Sequence, residues 1–171
     1  MSSVIVLAMH GAPPGDFPRQ EAAEFFALHG RIAHGAGAQQ PEAAERYEEL
    51  HAKMRAWPRT AENDPFHQAS MEMANHLALE AGQDVVVGFG EFCGPSLDDA
   101  LDLAATTGAT RITVTTPMMT RGGEHSEQDI PAAVERARAR HPGFSIRYVW
   151  PFDMAEIAQF LATQIKKTDA T

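Results

Sequence analysis

Three side chains that could ligate a transition metal stand just after segments with strand character: His10, Glu91 and His125. Two imidazoles and a carboxylate are ligands of intermediate softness, and they suit Co²⁺, Ni²⁺, Fe²⁺ or Zn²⁺. The three lie far apart along the chain, so they form no local ligand motif. Each also has an ordinary alternative, because a histidine after a strand is often only hydrogen-bonded and Glu91 could cap the helix that follows it. Their common position at strand ends makes them the candidate catalytic and metal-binding residues.

A glycine-rich loop leads into His125, with the sequence Met-Met-Thr-Arg-Gly-Gly-Glu. Gly122 and Gly123 allow the backbone to approach a flat ligand closely. Arg121 could pair with a carboxylate of that ligand, and Met118 could supply apolar contact. These four residues are the predicted substrate-binding residues. The alternative interpretation is an ordinary glycine-rich surface loop.

The elements that must position these residues follow from hydrophobic periodicity. Short apolar segments predict β-strands at residues 3–9, 84–89, 111–116 and 144–149. Helical patterns occupy residues 95–107, 129–141 and 153–166. Asp129 is expected to cap the second of these helices, with His125 just before it. Strands that alternate with helices are typical of a parallel sheet with helices on both faces, and ligands bind such sheets at the carboxyl edge. We therefore expect the three candidate ligands to converge there.

The connection between the first two strands is longer than one crossover helix requires. Helical patterns occur at residues 19–32, 41–57 and 64–81, within an insertion at about residues 17–82. A Gly- and Ala-rich joint at residues 30–40 separates the first two. We interpret the insertion as a mobile lid over the cleft, without a core of its own. The whole chain, residues 1–171, is predicted to be a single domain.

Composition excludes several classes of protein. The chain has 171 residues, one cysteine and a formal net charge of −9. One cysteine cannot form an intramolecular disulfide or a cysteine-based zinc site. The acidic balance argues against a nucleic-acid partner. No apolar run reaches the roughly 18 residues that a membrane span needs, and the chain starts without a basic leader. The expected location is the cytoplasm.

Three motifs together resemble those of one family, the sirohydrochlorin chelatases of the CbiX/SirB type, which are small class II chelatases. The first is Met-His10-Gly after the opening strand, and the second is Glu91-Phe-Cys-Gly-Pro-Ser before a helix. The third and most specific is Gly-Gly-Glu-His125-Ser-Glu-Gln-Asp129-Ile-Pro. The likeness covers residues 1–10 and nearly everything from about residue 85 onward.

The resemblance implies a chelatase-like three-layer α/β/α lobe with a central parallel four-stranded sheet. It also implies that His10 and His125 bind an incoming metal ion, with Glu91 beside them. The implied activity is the lyase-type insertion of cobalt or iron into sirohydrochlorin or a related tetrapyrrole, for cobalamin or sirohaem biosynthesis. Co²⁺, Fe²⁺ or Ni²⁺ would be a substrate, and no tightly bound cofactor is expected. Short members of the family form homodimers, so a homodimer is implied here too.

Two other functions compete with this hypothesis. A carrier protein could keep the three ligands and bind metal or tetrapyrrole without turnover. A hydrolase could use His10 as a nucleophile, as histidine phosphatases do. Those phosphatases place Arg directly before the His-Gly pair, and Met9 stands there in this chain. The hydrolase interpretation is therefore disfavoured.

Overall fold

The computed structural model describes residues 2–33 and 41–169 of the chain. Its centre is a sheet of four parallel strands in the order β2-β1-β3-β4. The strands are β1 (Ser3–Met9), β2 (Asp84–Phe89), β3 (Arg111–Thr115) and β4 (Ser145–Tyr148). Val6 of β1 lies between Val86 and Val114. Nearly every residue of β1 is buried, as expected for an apolar central strand covered on both faces.

Helices cover both faces of the sheet, so the predicted three-layer α/β/α architecture is confirmed. On one face lie α4 (Leu97–Thr106) and α5 (Ile130–Arg140), which also pack on each other. Ser96 and Asp99 form a capping box that starts α4. On the other face α3 (Pro65–Ala81) packs against β2 and buries Ala74 among side chains of β1 and β2.

The two remaining helices of the insertion are α1 (Arg19–Ala33) and α2 (Pro41–Arg55), which pair with each other. They enclose a buried cluster that is separate from the two clusters on the sheet; its members are Phe17, Phe25, Leu28, Leu50, Met54 and Phe92. The expectation that the insertion has no core of its own is therefore wrong. In this cluster Phe25 and Leu28 of α1 are buried with Leu50 and Met54 of α2 and with Phe92.

Two expectations about the insertion stay predictions. Most of the predicted hinge, residues 34–40, lies outside the described residues, so the movement of a lid stays untested. The single-domain organisation over residues 1–171, with an insertion at about 17–82, likewise stays a prediction.

The last helix, α6 (Met154–Asp169), follows β4 after a short loop. It begins one residue later than the sequence predicts and runs three residues further. Among its described side chains none is buried, and Ile157 comes nearest. No helix within the described residues is both long enough and apolar enough to cross a membrane.

Candidate metal-binding site

The loops that follow β1 and β2 run side by side at the carboxyl edge of the sheet. The Gly90 N–H donates to the Met9 carbonyl at 2.8 Å, and the Glu91 N–H donates to the His10 carbonyl at 2.8 Å. These bonds continue the β1–β2 pairing beyond the strands. They make His10 and Glu91 neighbours, as the parallel-sheet argument predicts.

The structure brings His10, Glu91 and His125 together. One ligand atom from each residue lies within 4.8 Å of the others. The His10 Nε2 is 3.6 Å from Oε2 of Glu91, and the two imidazole rings stand edge to face with centroids 4.6 Å apart. All three side chains remain partly accessible, so an ion and a second ligand can reach them.

Hydrogen bonds at Nδ1 orient both imidazoles. The His10 Nδ1 lies 2.8 Å from the Gly11 carbonyl oxygen, and the His125 Nδ1 lies 2.6 Å from Oδ2 of Asp129. A carbonyl oxygen only accepts, so Nδ1 of His10 carries the proton. An ionised Asp129 likewise accepts from Nδ1 of His125. Each ring then presents the lone pair of Nε2, as metal-binding histidines do when a second group holds Nδ1.

The segment that carries His125 differs from the prediction. His125–Asp129 forms a turn of π-helix that runs directly into α5, so His125 lies inside a continuous helix rather than before it. Asp129 makes no capping hydrogen bond. Its carboxylate holds His125 instead, because residues four apart lie on the same side of the helix. Turns of π-helix occur frequently at functional sites.

Close backbone packing explains the glycine after His10. Gly11 has φ of +99°, and a Cβ atom there would lie 2.0 Å from the carbonyl oxygen of Glu91. Any side chain would push the Glu91 loop away from His10. The next residue in that loop, Phe92, has φ of +55°. A bulky residue in this region is strained, and such strain is concentrated at functional sites.

Arg59, which no sequence pattern indicates, has a buried guanidinium that joins the two loops. It donates to the Ala12 carbonyl at 2.8 Å and to the Phe92 carbonyl at 2.5 Å. It also pairs with the buried Asp64 at 2.6 Å, and its fourth bond goes to the Met54 carbonyl at 2.9 Å. The insertion thus braces the loops that carry His10 and Glu91. No spacing pattern marks Arg59, because its bonds to the two loops go to backbone carbonyls that are distant in the sequence.

The predicted substrate-binding loop lies only partly at the site. Met118 lines a cavity of about 160 Å³ together with His10 and His125. Arg121 is 68% exposed and lies 3.7 Å from Glu127. Glu127 also accepts from the Gly122 N–H at 2.8 Å. A carboxylate of the protein therefore already occupies the place expected for a ligand carboxylate.

The remaining member of that loop, Gly123, is exposed, and its carbonyl accepts from the Ser126 hydroxyl at 3.1 Å. The contact of Arg121, Gly122 and Gly123 with a substrate stays a prediction.

A group of aromatic and imidazole rings from the insertion approaches the Glu91 loop. His29, Tyr47 and His51 stack around Phe25, which meets Phe92 edge to face. Burial lowers the pKa of His51 and raises the pKa of Tyr47. The sequence suggested no role for these histidines, and within the described residues they do not join His10, Glu91 and His125 as metal ligands.

Comparisons with known proteins give a family and a fold. The CbiX family model matches residues 59–168, which is more than half of the chain. No curated protein matches. Among solved structures, a CbiX protein from Marinobacter aquaeolei VT8 is 18% identical with a TM-score of 0.55, and the match covers 98% of this chain and 97% of that one.

The sirohydrochlorin chelatase SirB from Bacillus subtilis subspecies spizizenii, in complex with cobalt, is 22% identical with a TM-score of 0.44. This match covers 88% of the chain but only 44% of SirB. The chain therefore spans less than half the length of SirB, and the likeness of fold rests on the Marinobacter protein.

Proposed function

The chain belongs to the CbiX family, and on that premise we propose that it is a lyase-type chelatase that inserts a divalent metal ion into sirohydrochlorin or a related tetrapyrrole. The observation that carries the proposal is the convergence of His10, Glu91 and His125, whose ligand atoms lie within 4.8 Å of one another. This donor set suits cobalt, iron or nickel.

In the proposed reaction the metal is a substrate that must lose its water ligands. Nε2 of His10 and Nε2 of His125 would hold the ion and leave other coordination positions open. The macrocycle nitrogens can then replace water one at a time, as substrates do at open metal sites. Cobalt and iron are the first metals to test, and nickel is the third.

The macrocycle must also lose two pyrrole protons. Glu91 is the base in this proposal, because its carboxylate lies 3.6 Å from the His10 Nε2 that faces the ion. It would accept the two protons in turn as the ring nitrogens bind the metal, and would release the first to solvent before it takes the second. Its partly exposed position gives the proton a way out to solvent. A coordinating imidazole has no free lone pair, so neither histidine can serve as base while it holds the ion.

The same proposal includes the assembly and location of the protein. We place it in the cytoplasm as a homodimer, since one lobe covers only one side of a large flat substrate. Met118 would contact the ring beside the histidines. Arg121, Gly122 and Gly123 would act on the periphery of the ring only if the Glu127 contacts open.

An anaerobic insertion assay tests the function. The protein is mixed with sirohydrochlorin and Co²⁺, Fe²⁺ or Ni²⁺, and the change in ring absorbance is followed. We expect insertion that exceeds the protein-free rate and that His10→Ala abolishes, while His76→Ala, a change at an exposed position of α3, leaves the rate unchanged. Tight metal or ring binding without insertion of any metal would refute the chelatase proposal and favour the carrier.

A further inference from the structure

The cavity of about 160 Å³ beside the two imidazoles also reaches the insertion. Its lining includes His10, His125 and Arg55, and Arg55 is the last residue of α2. The volume is below the roughly 300–1,000 Å³ of pockets that enclose a drug-sized ligand. A whole tetrapyrrole is therefore too large for this cavity, whereas a single carboxylate arm of the ring is small enough to enter it.

Arg55 has hydrogen-bonding capacity that the protein does not use. Its side chain is only 24% exposed, and its Nη2 lies 3.7 Å from Oδ2 of Asp99. That oxygen already accepts from the backbone N–H and the hydroxyl of Ser96, at 3.0 and 2.5 Å. Within residues 2–33 and 41–169 the Arg55 guanidinium donates no hydrogen bond. A guanidinium presents its N–H donors as a planar fork, and this fork matches the two oxygens of a carboxylate.

The other permanently charged groups that line the cavity already have hydrogen-bond partners. Arg136 donates to both carboxylate oxygens of Asp98, at 3.2 and 2.6 Å. Asp129 accepts from His125 at 2.6 Å. Among the described residues of this lining, Arg55 is therefore the charged side chain whose donors are available to a ligand.

The surroundings of Arg55 determine the side from which a carboxylate can reach it. On its outer side Arg55 borders an open groove that is also lined by Glu48 and Asp99. These two acidic side chains repel a carboxylate from the groove. On the inner side the lining carries the two imidazoles that would hold a cation, so a carboxylate is favoured there.

We propose that Arg55 binds one carboxylate arm of the tetrapyrrole in this cavity and so orients the ring over the ion held by His10 and His125. The inference rests on the proposed function and adds a substrate-binding residue to it. Arg55 takes the role that the sequence suggested for Arg121, which is exposed and lies beside Glu127. Correct orientation of the two reactants is a large part of what an enzyme contributes to a reaction between them.

The backbone of Arg55 is held firmly against the site. A Cβ atom at Gly94 would lie 3.2 Å from the Arg55 carbonyl oxygen, so the end of α2 lies close to the loop that carries Glu91. The preceding residue, Met54, is fully buried in the cluster of the insertion. A binding group on a rigid support loses less entropy when its ligand binds.

Binding of metal-free sirohydrochlorin under anaerobic conditions tests the residue, and the fluorescence of the ring measures it. Arg55→Gln removes the charge and should weaken the Kd for the ring about 10- to 100-fold, as expected for a hydrogen-bonded pair of charged groups. Arg55→Lys keeps the charge without the fork, so its Kd should lie between those of the parent and Arg55→Gln. The matched control is Arg46→Gln, which removes another guanidinium from α2 and should bind the ring like the parent.

The methyl ester of the ring shows whether Arg55 recognises the carboxylate itself. Its arms carry no negative charge, so Arg55→Gln should not weaken its binding. Combining a change in the protein with a change in the ligand isolates their contact. Equal weakening for the acid and the ester, or unchanged binding of the acid, would overturn the inference and leave Arg55 a structural role. Circular dichroism and an unchanged Kd for Co²⁺ verify that the variants keep the fold and the metal site.

Metal insertion, assayed in parallel, separates this inference from the proposed function. Insertion by a parent protein whose affinity for the ring does not depend on Arg55 would contradict the inference alone. Binding of the ring that depends on Arg55, without insertion of any metal, would contradict the chelatase activity and support the carboxylate site. A parent protein that does not bind the ring would overturn both.

Discussion

At the scale of single residues, the two imidazoles are the first test. Removing either ring deletes one ligand, so His10→Ala and His125→Ala should each weaken Co²⁺ binding by at least about tenfold. Loss of a group that only hydrogen-bonds to a metal ligand already has an effect of that size. Titration calorimetry of the metal alone measures this. His76→Ala removes an exposed imidazole on α3 and should bind Co²⁺ like the parent protein. Unchanged affinity in both site variants would show that the metal binds elsewhere.

Glu91→Gln separates metal binding from proton transfer. The amide keeps the shape of the carboxylate, and both histidines remain to hold the ion, so the metal Kd should change little. The amide cannot accept a pyrrole proton, so the insertion rate should fall by about 10²- to 10⁴-fold, the usual contribution of a general base. The rate is measured at saturating metal. If the metal affinity fell by as much as the insertion rate, Glu91 would act as a metal ligand and not as a base.

Asp129→Asn tests the group that orients His125. Oδ2 of Asp129 lies 2.6 Å from Nδ1 of His125. An uncharged amide holds the ring less firmly and makes Nε2 less basic. The Co²⁺ affinity should therefore fall about 10- to 100-fold, as when other partners of metal-bound histidines are removed. The exposed carboxylate of Glu72 offers a control, and Glu72→Gln should have no effect. If Asp129→Asn bound Co²⁺ as tightly as the parent protein, the contact between Asp129 and His125 would serve only the stability of the helix.

At the scale of elements, the sequence was enough to predict the parallel sheet and the meeting of three strand ends. The hydrophobic periodicity identifies the strands and helices, and their alternation along the chain implies parallel strands whose ends share one edge. The π-helical turn at His125 could not be predicted, since a histidine and an aspartate four residues apart suit either a cap or an internal hydrogen bond. The bonds that Arg59 makes to the two loops could not be predicted from the sequence either. Two of its bonds go to the carbonyls of Ala12 and Phe92, which lie on segments that only the fold brings together.

Arg59, which is paired with Asp64, connects the insertion to the loops that carry His10 and Glu91. The side chains of Arg59 and Asp64 are both buried, so Asp64→Ala leaves a guanidinium without its counterion. Breaking such a pair costs about 3–5 kcal/mol in the free energy of unfolding, which urea denaturation measures. The exposed Arg46–Glu24 pair joins α1 and α2 at 2.9 Å, and Glu24→Ala should lower the free energy of unfolding far less than Asp64→Ala does, because solvent screens an exposed ion pair. Equal effects of the two substitutions would contradict the bracing role.

A second contact between elements makes the stability of the protein depend on pH. Asp98 of α4 accepts from Arg136 and Arg140 of α5 at 2.6 and 2.9 Å. The hydrogen bond from Arg136 holds the pKa of Asp98 below its usual value. Its contribution to stability is therefore complete above the ordinary pKa of an aspartate and is lost as pH falls through the lowered pKa.

Asp98→Asn should accordingly destabilise the protein near neutral pH by less than about 1 kcal/mol, because the carboxylate is partly exposed. The difference from the parent should shrink as the solution becomes acidic. Urea denaturation at several pH values measures it, with Glu72→Gln as the control. A difference that stays constant with pH would mean that the charge of Asp98 contributes nothing.

At the scale of the whole molecule, the net charge of −9 should act on the two proposed substrates, the metal ion and the tetrapyrrole, in opposite directions. The field of an acidic protein attracts a divalent cation and repels a ring that carries carboxylates. Salt screens both effects, since the Debye length falls from about 30 Å at 0.01 M to about 10 Å at 0.1 M. Raising the salt concentration over this range should therefore slow the association of Co²⁺ and speed the association of sirohydrochlorin. Stopped-flow absorbance measures both rates, and a thermal unfolding midpoint at each salt concentration verifies that the fold is unchanged. If both rates fell together, the salt would be acting on the structure of the site, and the long-range field would have no part in the encounter.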